Sequence, residues 1–87
     1  MTKATVSSTL AERGSRYGDF SSHATITQNI KRAMVESPNW NFLPDEMKES
    51  LEMIAHKIGR ILNGDPTYAD SWHDISGYAT LIENELN

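Results

Sequence analysis

Four charged residues near the carboxyl end of the sequence have types and spacings suited to binding ions. Lys57 and Arg60 stand three residues apart, and Asp70 and Asp74 stand four apart, so each pair would share one face of a helix. Guanidinium and ammonium groups bind phosphate oxygens, whereas carboxylates are ligands for divalent cations such as Mg²⁺. If the four side chains lined one cleft, they could bind a phosphorylated ligand together with a metal ion.

The same residues also suit a structural role. In an antiparallel hairpin that turns near residue 65, positions whose numbers sum to about 130 lie level with one another. This rule places Arg60 beside Asp70, and it places Lys57 beside Asp74. Such ion pairs fix a helix hairpin and contribute about 0–1 kcal/mol each when exposed. The sequence leaves the structural and the ligand-binding interpretations open.

Two amphipathic helices must position these residues. The third predicted helix starts with Pro44 in its first position and stops at Asn63-Gly64. A fourth runs from around Asp65-Pro66, or a few residues later, to near Leu86. Apolar residues recur at spacings of four and three in each, at Met47, Leu51, Ile54, Ile58 and Ile61 and at Tyr68, Trp72, Ile75, Ala79 and Ile82. Because the turn between them is short, we expect the two stripes to face each other or a shared core.

Two further helices are predicted upstream. Thr9 and Glu12 form a capping box for the first, which should stop by Gly18. The second begins after Ser21 or Ser22 and ends before Pro38, with an apolar face at Ile26, Ile30, Ala33 and Met34. No alternating strand pattern occurs in the sequence. The predicted fold is therefore all-α, a small bundle of about four helices with a C-terminal antiparallel hairpin.

The connection between the second and third helices, from Ser37 to Leu43, contains two aromatic residues. Trp40 and Phe42 are expected to fold back over an edge of the core, because large aromatic side chains in a loop usually gain from burial.

Length and composition limit the classes of protein that need be considered. At 87 residues with no cysteine, the chain suits a single helical domain, residues 1–87, in which residues 1–8 form a flexible tail. Domains of this size are often stabilised by self-association, so a homo-oligomer is expected. No apolar segment has the length of a signal peptide or a membrane span, which favours the cytoplasm and no membrane partner. A net charge of −4 argues against direct DNA binding.

Several of these residues also resemble a known family. The segments that carry the resemblance are Lys57-Ile58-Gly59-Arg60, Asp70-Ser71-x-x-Asp74-Ile75-x-Gly77-Tyr78 and, upstream, Arg16-Tyr17-Gly18. They resemble a family of small uncharacterised domains common in phages and prophages, over about Leu10 to Glu85. That family is in turn distantly similar to the all-α, MazG-like nucleoside triphosphate pyrophosphohydrolases. The resemblance implies a phage-encoded protein of the host-cell cytoplasm that handles nucleotides.

The distant similarity also implies a Mg²⁺ site. MazG-like enzymes bind magnesium with a Glu-x-x-Glu pair and a Glu-x-x-Asp pair on successive helices, and metal-bound water attacks the substrate phosphates. Glu49 and Glu52 match the first pair. Asp70 and Asp74 approximate the second, although four residues separate them instead of three. Because of this departure, the sequence favours binding of a nucleotide or phosphate over hydrolysis.

The residues implied as ligand contacts lie in three parts of the chain. Lys57 and Arg60 would bind phosphate, and Tyr78 closes the signature segment. Arg13, Arg16 and Tyr17 belong to the upstream signature and could reach the ligand from the first helix. The alternative for the upstream residues is structural: Tyr17 packs and Gly18 ends the helix, with Asp19 in the following turn.

The histidines predict no catalytic centre. His73-Asp74 is reminiscent of HD phosphohydrolases, but no Asp follows Asp74 and the chain is short for that scaffold. His56 lies opposite the apolar stripe of its helix, so we expect it to face solvent or an oligomer contact.

Two functions remain as hypotheses. The first is a nucleotide-handling domain that binds its ligand at the C-terminal hairpin. The alternative is a small interaction protein that binds and inhibits a host protein, such as a defence factor, through exposed aromatics such as Trp40 or Trp72.

Overall fold

Helices account for most of the chain. The computed structural model describes residues 5–87. Its elements are α1 (Val6–Tyr17), α2 (Phe20–Val35), a short 3₁₀ turn (Trp40–Phe42), α3 (Asp45–Asn63) and α4 (Ala69–Leu86). No strand occurs among these residues, so the prediction of an all-α protein with four helices is confirmed. Each helix within residues 5–87 is too short or too polar to span a lipid bilayer.

The two N-terminal helices begin earlier than the sequence pattern predicts. Thr5 caps α1 by accepting a hydrogen bond from the Ser8 backbone N–H at 3.0 Å, so the predicted start at Thr9 is wrong. Asp19 caps α2 in the same way through the Ser22 N–H, and the predicted start after Ser21 is also late. Of the predicted tail, residues 6–8 are helical, and residues 1–4 lie outside the described part of the chain.

The C-terminal hairpin is antiparallel, as predicted. Lys57 Nζ lies 3.0 Å from Asp74 Oδ2, and Ser50 Oγ donates to the Tyr78 carbonyl at 2.9 Å. Both contacts follow the register expected for a turn near residue 65. Pro44 occupies the N-cap of α3, one residue before its predicted position, and Gly64 ends the helix.

The helices form an open layer with α3 in the middle. α2 packs against one side of α3 and α4 against the other, and α1 lies across α2 and α3. The α2–α3 contact is close because Gly59 has no side chain, and a Cβ there would collide with Thr27 Oγ1. α2 and α4 share no extensive contact within residues 5–87. The layer therefore has one face partly covered by α1 and one uncovered face.

Small and polar residues fill the contacts between the helices. Ala55 is the one fully buried apolar residue among those described, and the other buried side chains are polar: His23, Thr27, Ser50, Lys57 and Ser71. The large aliphatic residues of the predicted stripes are only half-buried, and Leu51 and Trp72 are exposed. The two stripes consequently do not enclose the shared core that the sequence predicts.

The loop aromatics behave differently from one another. Trp40 is half-buried, and Lys48 Nζ lies 5.9 Å from the centre of its ring. Phe42 is 85% exposed, so the prediction that it covers the core is wrong. The 3₁₀ turn directs the two side chains to different surroundings although only one residue separates them.

Candidate functional site

The C-terminal end of α1 is held against the turn between α3 and α4. The Asn63 side-chain amide donates to the carbonyls of Tyr17 and Asp19, each at 2.8 Å. The Asp65 backbone N–H donates to the Arg16 carbonyl at 2.7 Å. Gly18 has a positive φ of 78°, which glycine adopts without strain and which turns the chain from α1 into α2. These contacts fix Arg16 and Tyr17 next to the last turn of α3.

Two tyrosines pack against each other at this junction, and an arginine lies over the ring of each. The Arg60 guanidinium lies 4.1 Å from the centre of the Tyr17 ring, and that of Arg16 lies 4.4 Å from the Tyr68 ring. The two rings meet edge to face, with centroids 6.0 Å apart. We call Arg16, Tyr17, Arg60 and Tyr68 the arginine–tyrosine cluster. Cation–π contacts hold guanidinium groups in place while leaving their N–H donors available to other partners.

Two neighbouring cavities open beside this cluster. The larger has a volume of about 560 Å³ and lies between α1, α2 and α3, with Leu10, Phe20, His23 and His56 in its wall. The smaller, of about 280 Å³, is lined by Thr9, Glu12, Arg16 and Tyr68. Arg13, Tyr17 and Arg60 line both cavities. A single ligand could therefore occupy one cavity and reach into the other.

A pair of histidines forms the inner wall of the larger cavity. His23 Nε2 and His56 Nδ1 lie 3.3 Å apart, within hydrogen-bonding distance, and Thr27 Oγ1 is 3.4 Å from the same His23 nitrogen. Burial, and then the charge of Arg60, lowers the pKa of His56 to about 4. Burial also lowers the pKa of His23. Both imidazoles are therefore neutral at neutral pH, beside a positively charged arginine.

Of the two surroundings expected for His56, solvent or an oligomer contact, the first is wrong, because the side chain lines the larger cavity beside His23. It does lie opposite the apolar stripe of α3, as its position implies, but that side of α3 faces α2 and the cavity. The stripe itself lies on the uncovered side. Two sequence features could have indicated the pairing, since His23 and Thr27 lie one turn apart on α2 and Gly59 follows His56 by three residues.

The predicted ligand-binding residues divide into two groups. Arg13, Arg16, Tyr17 and Arg60 lie together at the two cavities. Lys57 pairs with Asp74 on the side of α3 that faces α4, and Tyr78 accepts a hydrogen bond from Ser50 through its carbonyl. Tyr78 and Asp74 line a separate shallow cavity of about 370 Å³ on α4.

Of the two ion pairs predicted across the hairpin, only one forms. Lys57 contacts Asp74, but Arg60 and Asp70 make no ion pair within residues 5–87. Arg60 stacks on Tyr17, and Asp70 Oδ2 accepts a hydrogen bond from the Tyr68 hydroxyl at 2.9 Å. That bond is the main reason why the pKa of Tyr68 is raised. The register rule fails for Arg60 because its side chain turns toward α1, an element that the rule ignores.

The four predicted magnesium ligands make separate contacts. Glu52 lies 4.0 Å from Lys31 on α2, Asp74 pairs with Lys57, Asp70 bonds Tyr68, and Glu49 is exposed. Among residues 5–87 no group of three or more histidine, aspartate or glutamate side chains is placed to hold a metal ion. Within residues 5–87 these four side chains are therefore not gathered into one site, and the magnesium centre that the resemblance implies stays a prediction.

Comparison with protein-family models, with curated proteins and with solved structures finds no match to this chain. The phage family and the MazG-like similarity therefore remain predictions, and the geometry of the site carries the functional proposal.

Proposed function

We propose that the protein binds a phosphorylated small molecule of the nucleotide class at the two cavities beside the arginine–tyrosine cluster. The observation that carries this proposal is the convergence of Arg13, Arg16 and Arg60 around Tyr17. In the phage-type protein that the resemblance implies, this site would serve nucleotide handling.

The charge distribution supports an anionic ligand. The chain has a net charge of −4, yet three arginines lie together at this site. Arg13 and Arg60 form no ion pair with residues 5–87, and the only pair of Arg16 is an exposed contact with Glu12 at 3.7 Å. Gathering like charges is unfavourable unless an anion neutralises them. Phosphate suits the donors, since planar guanidinium groups bind its oxygens in pairs.

The larger cavity supports a flat, mostly apolar ligand group next to the phosphate. Its wall includes Leu10, Phe20 and the ring of Tyr17, and the neutral His23–His56 pair adds hydrogen-bonding nitrogens. Its volume of about 560 Å³ is within the usual range for small-molecule sites. A nucleobase in this cavity and phosphates at the smaller one would use the arginines that line both.

Binding without hydrolysis fits the positions of the carboxylates. Hydrolysis of the MazG type needs a cluster of acidic ligands for Mg²⁺. Glu49, Glu52, Asp70 and Asp74 lie apart, so we assign no reaction step to a metal ion. A requirement for Mg²⁺ is therefore not part of the proposal.

Thermal unfolding with a panel of nucleoside mono-, di- and triphosphates, with and without Mg²⁺, tests the proposal. A ligand at 100 times its Kd stabilises the folded state by about 2.7 kcal/mol. For a domain of this size that corresponds to a rise in Tm of roughly 10 °C or more. The rise should shrink with added salt, because exposed charges are screened. Pyrophosphate release measured in the same samples detects hydrolysis.

Variants locate the binding site. Arg60→Ala and Arg13→Ala should each remove most of the rise in Tm. Arg32→Ala is the matched control, because Arg32 is an exposed arginine in the last turn of α2 and lines neither cavity. No rise across the panel, or an equal loss in the Arg32 variant, would contradict the proposal.

A second candidate function is inhibition of a host protein through an exposed aromatic surface. Trp72 favours it, because the residue is 55% exposed while its indole N–H is fixed by a 2.8 Å hydrogen bond to the Pro66 carbonyl. Rigid, exposed tryptophans often anchor protein interfaces. A bacterial protein that co-purifies with the wild-type chain and is lost with Trp72→Ala would support this function, and retention by both would oppose it.

A further inference from the structure

The uncovered side of the helix layer is apolar. Met47, Leu51 and Ile54 of α3 line a shallow groove with Ala79, Ile82 and Leu86 of α4, with a volume of about 340 Å³. We call these six residues the apolar face. Leu51 is 41% exposed and Leu86 67% exposed. In most small domains such residues are buried against a second layer of structure.

The contacts of α3 place this face opposite the proposed ligand site. Gly59 faces α2 and Lys57 faces α4, as their contacts show. Successive residues of a helix are rotated by about 100°, so Gly59 and Lys57 point in opposite directions from α3. Two further sides of α3 lie at right angles to the line from α2 to α4. His56 and Arg60 occupy one, toward α1 and the cavities. Leu51, Ile54 and Ile58 occupy the other. The apolar face and the ligand site therefore lie on different sides of the layer.

The exposed area of the chain is larger than the average for a folded monomer of its mass. It measures 6324 Å², which exceeds by about 1,100 Å² the roughly 5,200 Å² expected for a monomer of 9.8 kDa. A stable protein–protein interface buries about 800 Å² on each partner. The radius of gyration of 15.1 Å is also above the roughly 12 Å expected for this length. The excess area is sufficient for one such interface.

We propose that the apolar face is covered by a second copy of this chain, so that two α3–α4 hairpins pack into a four-helix core. A two-fold interface pairs the same surface on both chains, so one contact buries both apolar faces at once. All six residues of the apolar face are uncharged. Pairing of two such faces therefore brings no like charges together at the centre of the interface. Antiparallel helix hairpins are also the units that form four-helix bundles.

The molar mass of the full chain in solution tests this proposal. Light scattering or sedimentation equilibrium at micromolar concentration should give twice the chain mass of 9.8 kDa. Leu51→Glu places a charge in the apolar face and should weaken the dimer at least about 30-fold. Leu81→Glu is the matched control, because Leu81 is 62% exposed on α4 but lies outside this face. It should leave the dimer intact. A monomeric wild-type chain, or equal effects of the two substitutions, would overturn the proposal.

A measurement on the wild-type chain covers the case in which the Leu51 variant does not fold. Isotope-filtered NOE spectra of mixed labelled and unlabelled chains should show contacts between copies from the methyl groups of Leu51, Ile54 and Ile82. The Leu81 methyls should show none. A dimer whose intermolecular NOEs come from other residues would overturn the proposal, since a second copy would then cover a different surface.

Discussion

Lys57 Nζ and Asp74 Oδ2 lie 3.0 Å apart, and this ion pair joins the C-terminal half of α3 to the N-terminal half of α4. The Lys57 side chain is only 11% exposed, whereas that of Asp74 is 42% exposed. The hydrogen bond from Lys57 lowers the pKa of Asp74. The carboxylate thus neutralises an almost buried ammonium group, which would otherwise carry the full cost of its lost hydration.

Reversing these two charges tests the pairing. Asp74→Lys should lower the stability of the fold, because two ammonium groups would then face each other across the hairpin. Adding Lys57→Asp should recover part of the loss, since the opposite charges are restored. Urea unfolding of the wild type, both single variants and the double variant measures the coupling. Asp70→Lys is a control with a smaller expected effect, because Asp70 is exposed and bonds only Tyr68. If the double variant is no more stable than the summed losses of the two single variants predict, the two residues do not form a stabilising pair.

Close packing of α2 against α3 depends on Gly59. A Cβ at this position would collide with Thr27 Oγ1 and come within 3.0 Å of His23 Cε1. Gly59→Ala should therefore destabilise the protein by about 1–3 kcal/mol. At Gly77, in contrast, no atom lies within 4 Å of an added Cβ. Gly77→Ala should stabilise the protein by about 0.4–1 kcal/mol, because alanine loses less backbone entropy in a helix. Chemical denaturation measures the free energy of unfolding of both variants. Similar changes in the two variants would contradict the close contact between Gly59 and α2.

The position of the arginine–tyrosine cluster depends on Asn63. Its amide donates to the Tyr17 carbonyl at the end of α1 and to the Asp19 carbonyl at the N-cap of α2, and no other side chain within residues 5–87 hydrogen-bonds the Tyr17 carbonyl. Asn63→Ala leaves the Tyr17 carbonyl without this partner, whereas the Asp19 carbonyl still accepts from the His23 N–H at 3.2 Å, and the loss should cost about 1–3 kcal/mol. Compared with the wild type, amide hydrogen exchange in the variant should accelerate more in α1 than in α4. Nucleotide affinity should also fall in folded samples, because Tyr17 is no longer held beside Arg60. Unchanged exchange in α1 would show that other contacts hold this junction.

The helices themselves could be predicted from the sequence because each signal is local. Spacings of four and three predict α3 and α4, and the stop at Asn63-Gly64 agrees with the structure. The starts of α1 and α2 could not be predicted exactly, because several residues at each start can serve as N-caps. The sequence pattern does not show that Thr5 and Asp19 are the ones used.

The arrangement of the helices could not be predicted in the same way. An apolar stripe indicates that a face will be covered, but not which element of which chain covers it. On α3 the stripe faces the uncovered side, and the side with His56 and Arg60 meets α1 and α2. Four of the six predicted ligand residues therefore lie around Arg60 and Tyr17, whereas Lys57 pairs with Asp74 and Tyr78 lies on α4.

The buried histidine pair predicts how stability depends on pH. Burial and the charge of Arg60 lower the pKa of His56 to about 4 from the ordinary 6.5, and that of His23 shifts in the same direction. Between these two values the unfolded chain binds a proton on His56 that the folded chain does not bind. The free energy of unfolding should therefore be at its full value above pH 6.5 and fall as the pH decreases toward 4.

Substitution separates this effect from the titration of carboxylates. His56→Gln should flatten the pH profile in this window, because an amide does not titrate, while His73→Gln, at an exposed position on α4, should leave it unchanged. Asp74 also stabilises the folded state while it is charged, because its pKa is lowered from the ordinary aspartate value of 3.8. That stabilisation is lost only below pH 3.8, outside this window. Urea unfolding followed by circular dichroism across the window measures all three proteins. An equally steep profile in the His56 variant would mean that other groups bind the proton on unfolding.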